Sequence, residues 1–136
     1  MACTRGRDMD IARGLDDLRA AHPACSLIAF GDISARMILC ASGRRRQPQE
    51  QLDRLCATAV DLLRGESAVR IAAAMGHAGR GRMRMAIALD SDGAALFLGS
   101  GDGSPDVLCG LFDDIGAVEP ALPPMLHLLE LAHATG

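Results

Sequence analysis

The segment from Arg82 to Asp114 constrains the fold more than any other part of the chain, because it reads as three consecutive strands. Large apolar side chains alternate with arginine or alanine along residues 82–89, the period of two expected of a strand with one packed face. Asp92-Gly93 then predicts a hairpin turn, since glycine accepts the positive φ that such turns require. A second strand follows over residues 94–99. The third, over residues 107–112, is apolar throughout, which is typical of a strand covered on both faces.

The composition limits the class of protein. With 136 residues the chain is long enough for one domain, 1–136, in which residues 1–7 are expected to form a flexible tail. The net charge of −3 and the absence of Trp and Tyr argue against nucleic-acid binding. No stretch resembles a signal peptide or a membrane span. All 14 basic residues are arginine, a bias typical of a GC-rich bacterial genome.

Cysteine usage bears on the cellular compartment. Cys25, Cys40, Cys56 and Cys109 lie inside apolar runs, and no C-x-x-C pair occurs. This pattern favours buried, reduced thiols over disulfides or metal ligands, and therefore a cytoplasmic protein.

The remaining elements follow from apolar periodicity and from the positions of Gly and Pro. Helices are predicted over residues 8–21, 49–64 and from Pro123-Pro124 to His133, and strands over 25–30 and 35–41. Both of these strands are expected to be covered on two faces. Residues 115–120 are expected to form a connector. Residues 66–81 fit either a strand or a short helix capped by Ser67 and ended by Gly76, and we prefer the helix.

These elements predict an α/β (α+β) three-layer sandwich, in which a central five-stranded antiparallel sheet carries helices on both faces. The apolar arc of the helix over residues 49–64 is wider than one packed face requires, which suggests a partner surface. Arg44, Arg45 and Arg46 form a polar crossover. They fit a solvated loop, with an acidic partner or an anionic ligand as the alternative.

The sequence offers no catalytic, cofactor-binding or metal-ligating residue that we would assign. His127 and His133 are six residues apart and do not share a helix face, so they are a poor metal pair. The glycines from Gly99 to Gly103 join two strands instead of opening a helix, which is unlike a dinucleotide-binding loop. Cys109 lies in a buried strand, where a thiol is usually inert. The aspartates near turns are expected to be solvated caps: Asp90, Asp92, Asp102, Asp106, Asp113 and Asp114.

From Cys25 to Ala132 the sequence resembles the roadblock / dynein light-chain family of profilin-like α/β sandwiches. The resemblance lies in the first hairpin, the long helix, the Asp92-Gly93 turn, the run from Phe97 to Gly103, and a buried strand closed by Asp113-Asp114. It implies a homodimer in which the strand near residues 83–89 pairs with its copy, while the long helices pack together. The interface residues expected on this basis are Met83, Arg84, Met85, Ala86, Ile87, Leu52, Leu55, Ala59 and Leu63.

The resemblance also implies a function. Bacterial proteins of this kind are similar to partners and regulators of small Ras-like GTPases, which they bind as dimers without turning over a substrate. The expected protein is thus a non-catalytic regulator or scaffold that needs no cofactor and no metal. The alternative is a small-molecule-sensing domain of the PAS, GAF or profilin-like type. Its pocket would lie between sheet and helices and be lined by Met37, Leu39, Cys109 or Met125.

Overall fold

The computed structural model describes residues 6–76, 83–100 and 103–135, and it has the predicted alternation of helices and strands. In chain order the elements are α1 Gly6–Ala21, β1 Cys25–Asp32, β2 Met37–Gly43, α2 Gln49–Arg64, α3 Glu66–Ala74, β3 Met85–Asp90, β4 Gly93–Gly99, β5 Asp106–Phe112 and, after a 3₁₀ turn at Ile115–Ala117, α4 Val118–Thr135.

The strands form one antiparallel sheet with the order β2-β1-β5-β4-β3. One apolar cluster fills the space between the sheet and the helices α1 and α4, and two smaller clusters lie between the opposite face and α2. The predicted three-layer sandwich is therefore confirmed. Strand β5 lies at the centre of the sheet and is buried at every position except Leu111, as the apolar run over residues 107–112 predicts.

Helices α1 and α4 cover one face of the sheet. Leu15 of α1 and Met125 of α4 are buried with Phe30 and Leu108 of the sheet. Gly14 lies where α1 meets α4, since a Cβ added there would come within 2.7 Å of the Leu128 side chain. The lack of a side chain at this position is what allows the two helices to approach closely.

Helix α2 covers the other face and supports α3. The buried residues of α2 are Leu52, Cys56, Ala59, Val60 and Leu63. The preferred helix for residues 66–81 is confirmed as far as residue 74, and it buries Ala68 and Ala72. Gly76 has a φ of +84° just after the helix, as its predicted role as a stop requires. Ser67 is not the cap, because the N-cap is Gly65 without a side-chain hydrogen bond. Residues 77–81 lie outside the described residues.

The expected start of the last helix is wrong. Helix α4 begins at Val118, and Pro123 and Pro124 lie inside it instead of opening it. The preceding 3₁₀ turn is capped by Asp114, whose Oδ1 accepts a hydrogen bond from the Ala117 N–H at 3.0 Å. Pro120 falls in the first turn of α4, where an amide hydrogen is not needed.

Three smaller expectations also change. Strand β2 is at a sheet edge and leaves Met37 and Ala41 exposed, so it is not covered on both faces. Gly6 and Arg7 belong to α1 rather than to a tail, and residues 1–5 lie outside the described residues. Cys25, Cys56 and Cys109 are free and buried as expected, but Cys40, which is also buried, is disulfide-bonded. Cys40 therefore gives no support to a cytoplasmic location, which stays a prediction.

Candidate interaction site at the edge of strand β3

Strand β3 ends the sheet and exposes large apolar side chains. Met85, Ile87 and Leu89 are 37%, 46% and 64% exposed, and they alternate with the half-buried Ala86 and Ala88. In the register with β4, Met85 lies opposite Leu98 and Ile87 opposite Leu96, so these side chains extend the α1/α4 face of the sheet. Isolated apolar side chains are common on protein surfaces, but three in a row on one face of an edge strand form a continuous apolar strip.

The backbone of β3 is also free to pair with another strand. The Gly99 N–H donates to the Arg84 carbonyl at 2.8 Å, which makes this a hydrogen-bonded pair of the β3–β4 ladder. Because such pairs alternate along an antiparallel ladder, Ala86, Ala88 and Asp90 also direct their backbone groups towards β4. The N–H and C=O groups of Met85, Ile87 and Leu89 therefore point away from the sheet.

The hairpin that carries β3 is held by its turn. Asp90 Oδ1 accepts hydrogen bonds from the N–H groups of Asp92, at 2.7 Å, and Gly93, at 3.0 Å. Gly93 has a φ of +154°, and a Cβ there would lie 2.2 Å from the Phe112 carbonyl oxygen. The predicted hairpin turn is thus confirmed, with Ser91 and Asp92 as its two central residues and Gly93 as the first residue of β4. Asp90 closes the turn by a local side-chain bond, whereas only a solvated cap was expected of it.

The face of β3 towards α2 carries small side chains and is only partly covered. Ala86, Ala88 and the neighbouring Ala95 pack against the α2-side cluster together with Leu55 and Leu62, and all five are only partly buried. The chain enters β3 beside the end of α2, where the Met83 N–H donates to the Leu63 carbonyl at 2.9 Å. The small side chains of β3 leave room next to α2 for a further element to pack.

Comparisons with known proteins agree on the fold. No family profile matches the chain, and no curated protein matches its sequence. Among solved structures, MglB from Thermus thermophilus, described as a gliding protein, superposes with a TM-score of 0.71 at 12% identity, covering 96% of this chain and 94% of its own. A Roadblock/LC7 domain from Streptomyces avermitilis gives 0.66 at 17% identity over 91% and 95%. MglB from Myxococcus xanthus gives 0.69 at 12% identity over 98% and 96%.

The chain has the roadblock fold. Similarity at these identities establishes the arrangement of the elements and nothing finer. The resemblance inferred from residues 25–132 is therefore confirmed for the fold.

Within the roadblock fold the expected interface residues fall into two groups. Met83 to Ile87 lie at the free edge, with Arg84, Met85 and Ile87 exposed and Met83 and Ala86 half-buried. On α2, by contrast, Leu52, Ala59 and Leu63 are buried against the protomer's own sheet, and only Leu55 retains some exposure. The wide apolar arc of α2 is thus accounted for by packing on the sheet and under α3. Of this arc, only the half-buried stripe of Leu55 and Leu62 is left for a partner.

Two residues at this edge were not named among the expected interface residues. Leu89 is the most exposed of the three large apolar residues of β3, and its place in the alternation was the signal that could have identified it. Leu62 lies seven residues after Leu55 and is half-buried beside the same alanines. The spacing of seven residues places Leu55 and Leu62 on one stripe of α2. This spacing could have identified Leu62 as an interface residue.

The remaining candidates for chemistry do not converge. Among the described residues, no group of three or more His, Cys, Asp or Glu side chains is arranged to hold a metal ion. Burial raises the pKa of the thiols of Cys109, Cys25 and Cys56, which disfavours the reactive thiolate. Asp106 is buried instead of solvated, and Asp102 lies outside the described residues.

The residues proposed to line the pocket of a sensing domain do not all lie on one side of the sheet. Cys109 packs in the cluster on the α2 side, whereas Met125 and Leu39 pack on the α1/α4 side. Because the sheet separates these side chains, they cannot line one cavity.

None of the helices among the described residues has the length and apolar character of a membrane-spanning segment.

Proposed function

We propose that the protein is a homodimer formed through β3 and that this dimer is a non-catalytic regulator or scaffold of a small Ras-like GTPase. The observation that carries the proposal is the free edge of β3, where exposed apolar side chains and outward backbone groups occur on the same three residues. An edge of this kind invites pairing with another strand, and pairing with its own copy satisfies both features at once.

The alternation of the β3 ladder suggests a register for the pair. If the two copies of β3 run antiparallel about a two-fold axis at Ile87, each Ile87 faces its own copy and each Met85 faces Leu89 of the second copy. All six outward N–H and C=O groups of each strand then find partners across the axis. The apolar side chains meet on one face and the alanines on the other.

The alanine face explains how α2 would take part. The small side chains of Ala86 and Ala88 leave space beside Leu55 and Leu62. The two copies of α2 can therefore approach each other across the axis. The contact would be made by the half-buried stripe Leu55 and Leu62. Of the α2 residues first expected at this interface, only Leu55 is retained.

The dimer is tested by size-exclusion chromatography with light scattering between about 5 and 100 μM. Refractive-index detection is required, since the chain has no Trp or Tyr. A mass of twice 14.2 kDa is expected across this range. A stable monomer throughout the range contradicts the proposal.

The regulatory function rests on the roadblock resemblance and needs its own test. Small Ras-like GTPases from the same genome, loaded with GDP or with a non-hydrolysable GTP analogue, should be measured for binding to the purified dimer. We expect at least one to bind with a preference of tenfold or more for one nucleotide state, which corresponds to about 1.4 kcal/mol. Failure of every such GTPase to bind would remove this function while leaving the dimer intact.

A further inference from the structure

The edge of the sheet opposite β3 carries a basic cleft that the proposed dimer does not use. The cleft has a volume of about 470 Å³ and lies between the C-terminal half of α1, the end of β2 and the start of α2. Three guanidinium groups line it, from Arg19, Arg45 and Arg46, against one carboxylate, from Asp16. A local surplus of two positive charges is notable in a chain whose net charge is −3.

Arg44, the first residue of the Arg44–Arg46 run, holds in place the loop that presents Arg45 and Arg46. The Arg44 guanidinium donates to Asp113 Oδ1 at 2.9 Å and to Asp113 Oδ2 at 2.7 Å, and it also contacts the Pro23 carbonyl. Its backbone N–H donates to the Ser26 carbonyl at 2.9 Å. Arg44 is therefore committed to the fold. Arg45 and Arg46 make no ion pair with any residue that the structure describes.

The floor of the cleft is polar and internally bonded. The buried Ser42 hydroxyl donates to Asp16 Oδ1 at 2.6 Å and accepts from Arg19 Nε at 3.0 Å. The Asp16 carboxylate is thus already hydrogen-bonded within the wall of the cleft. The carboxylate of Glu50, next to Gln49 in the sequence, lies 3.8 Å from the Arg54 guanidinium. The amides of Gln47 and Gln49 add further hydrogen-bonding groups. Guanidinium groups present their N–H donors in a planar fork that matches the oxygens of a phosphate group.

We infer that this cleft binds a phosphate-bearing anion through Arg45 and Arg46, with Arg19 at its wall. The volume falls in the range of small-molecule sites, so a ligand larger than a single phosphate fits. No aromatic side chain lines the cleft to stack on a nucleobase, so recognition rests on the phosphate group. The site goes beyond the proposed dimer and is independent of it, because β2 and β3 are at opposite edges of the sheet.

The test is calorimetric titration of the full chain with pyrophosphate, alongside the double variant Arg45→Gln/Arg46→Gln. Loss of two charge-assisted contacts should weaken binding at least about tenfold. The matched control is Arg36→Gln/Arg70→Gln, which removes two exposed arginines, in the β1–β2 turn and on α3, that lie outside the cleft. It should change the affinity by less than about twofold. Far-ultraviolet circular dichroism of both variants confirms that they are folded.

A second arm separates the two sources of a phosphate group. The same proteins are mixed with phosphatidylcholine vesicles that contain either no anionic lipid or one fifth phosphatidic acid, and sedimentation is measured. Binding of pyrophosphate alone supports a soluble ligand. Binding of the acidic vesicles alone, lost in the Arg45/Arg46 double variant, supports a lipid headgroup. Binding to neither probe at about 10 mM phosphate groups, or equal weakening in the control variant, overturns the inference.

Discussion

The two edges of the sheet differ in how they meet solvent. Strand β3 is regular, paired residue for residue with β4, and exposes three large apolar side chains. Strand β2 is interrupted: the register with β1 shifts between Phe30 and Gly31, which leaves Leu39 as an extra residue. Helix α1 packs over β2, and three arginines follow it. Bulges, covering elements and charges protect an edge strand from pairing with another strand. The β2 edge is therefore guarded against such pairing, whereas the β3 edge is open to it.

The largest effect is expected when the same charge is placed at each edge. Ile87 and Met37 are 46% and 43% exposed, which makes them a matched pair. In the proposed dimer Ile87→Asp brings two carboxylates together on the two-fold axis, where burial of unpaired charge costs several kcal/mol. We expect Ile87→Asp to be monomeric at 100 μM by light scattering.

Met37→Asp is the control for that experiment. Its carboxylate stays in solvent at the guarded edge, so the variant should have the mass and the melting temperature of a dimer. Two monomeric variants, or two dimeric ones, would show that the edges do not differ in the way proposed.

The second prediction concerns the turn that holds β3 at the open edge. Gly93→Ala should destabilise the fold by about 2–4 kcal/mol, because the new Cβ clashes with a backbone carbonyl and the φ is unfavourable for alanine. Gly76→Ala is the control, since its φ of +84° is also positive but, its chain neighbours apart, no atom of the described residues would lie within 4 Å of the added Cβ. It should cost about 1 kcal/mol. Urea denaturation at one fixed protein concentration measures both, and equal losses would refute the steric explanation.

The sequence predicted the open edge better than the surfaces around it, for a physical reason. Alternation along residues 82–89 and the Asp92-Gly93 turn are local features, and they specify a hairpin whatever surrounds it. The apolar arc of α2 shows which face of the helix is buried. It cannot show whether the protomer's own sheet or a second copy covers it, and so Leu52, Ala59 and Leu63 were expected at a dimer interface although they are buried against the protomer's own sheet.

The start of α4 shows a second limit. A pair of prolines is typical of a first turn, yet Pro123 and Pro124 lie inside α4 because the helix is already begun by the Asp114-capped 3₁₀ turn. Asp114 was expected to be a solvated cap, but the sequence did not show that the turn it caps leads directly into α4. The basic cleft was anticipated only as one alternative for the arginine run. Its walls come from α1, β2 and α2, which are apart in sequence.

A smaller effect is expected in the hairpin at the β2 edge. The β1–β2 hairpin contains Arg36 with a φ of +56°, a conformation that costs a non-glycine residue about 1 kcal/mol. Arg36→Gly should therefore stabilise the protein by a few tenths of a kcal/mol up to about 1 kcal/mol, after the entropy that glycine loses on folding. Urea denaturation is the measurement, with Arg36→Ala as the control that keeps the strain. A loss of stability in Arg36→Gly would show that the Arg36 side chain holds the hairpin.

The smallest effect is expected where β2 ends. The Arg44 guanidinium, bonded to both oxygens of Asp113, holds the pKa of that carboxyl below its usual range. Because the folded pKa is lower than the unfolded one, the pair contributes stability that is present above the unfolded pKa and is lost as pH falls through the folded pKa. Both groups are on the surface, so added salt should reduce the shift. Carbon-13 titration of Asp113 should show its midpoint moving up in Arg44→Gln and staying unchanged in Arg45→Gln. An equal midpoint in these two variants and in the unmodified protein would mean that Arg44 does not anchor this end of β2.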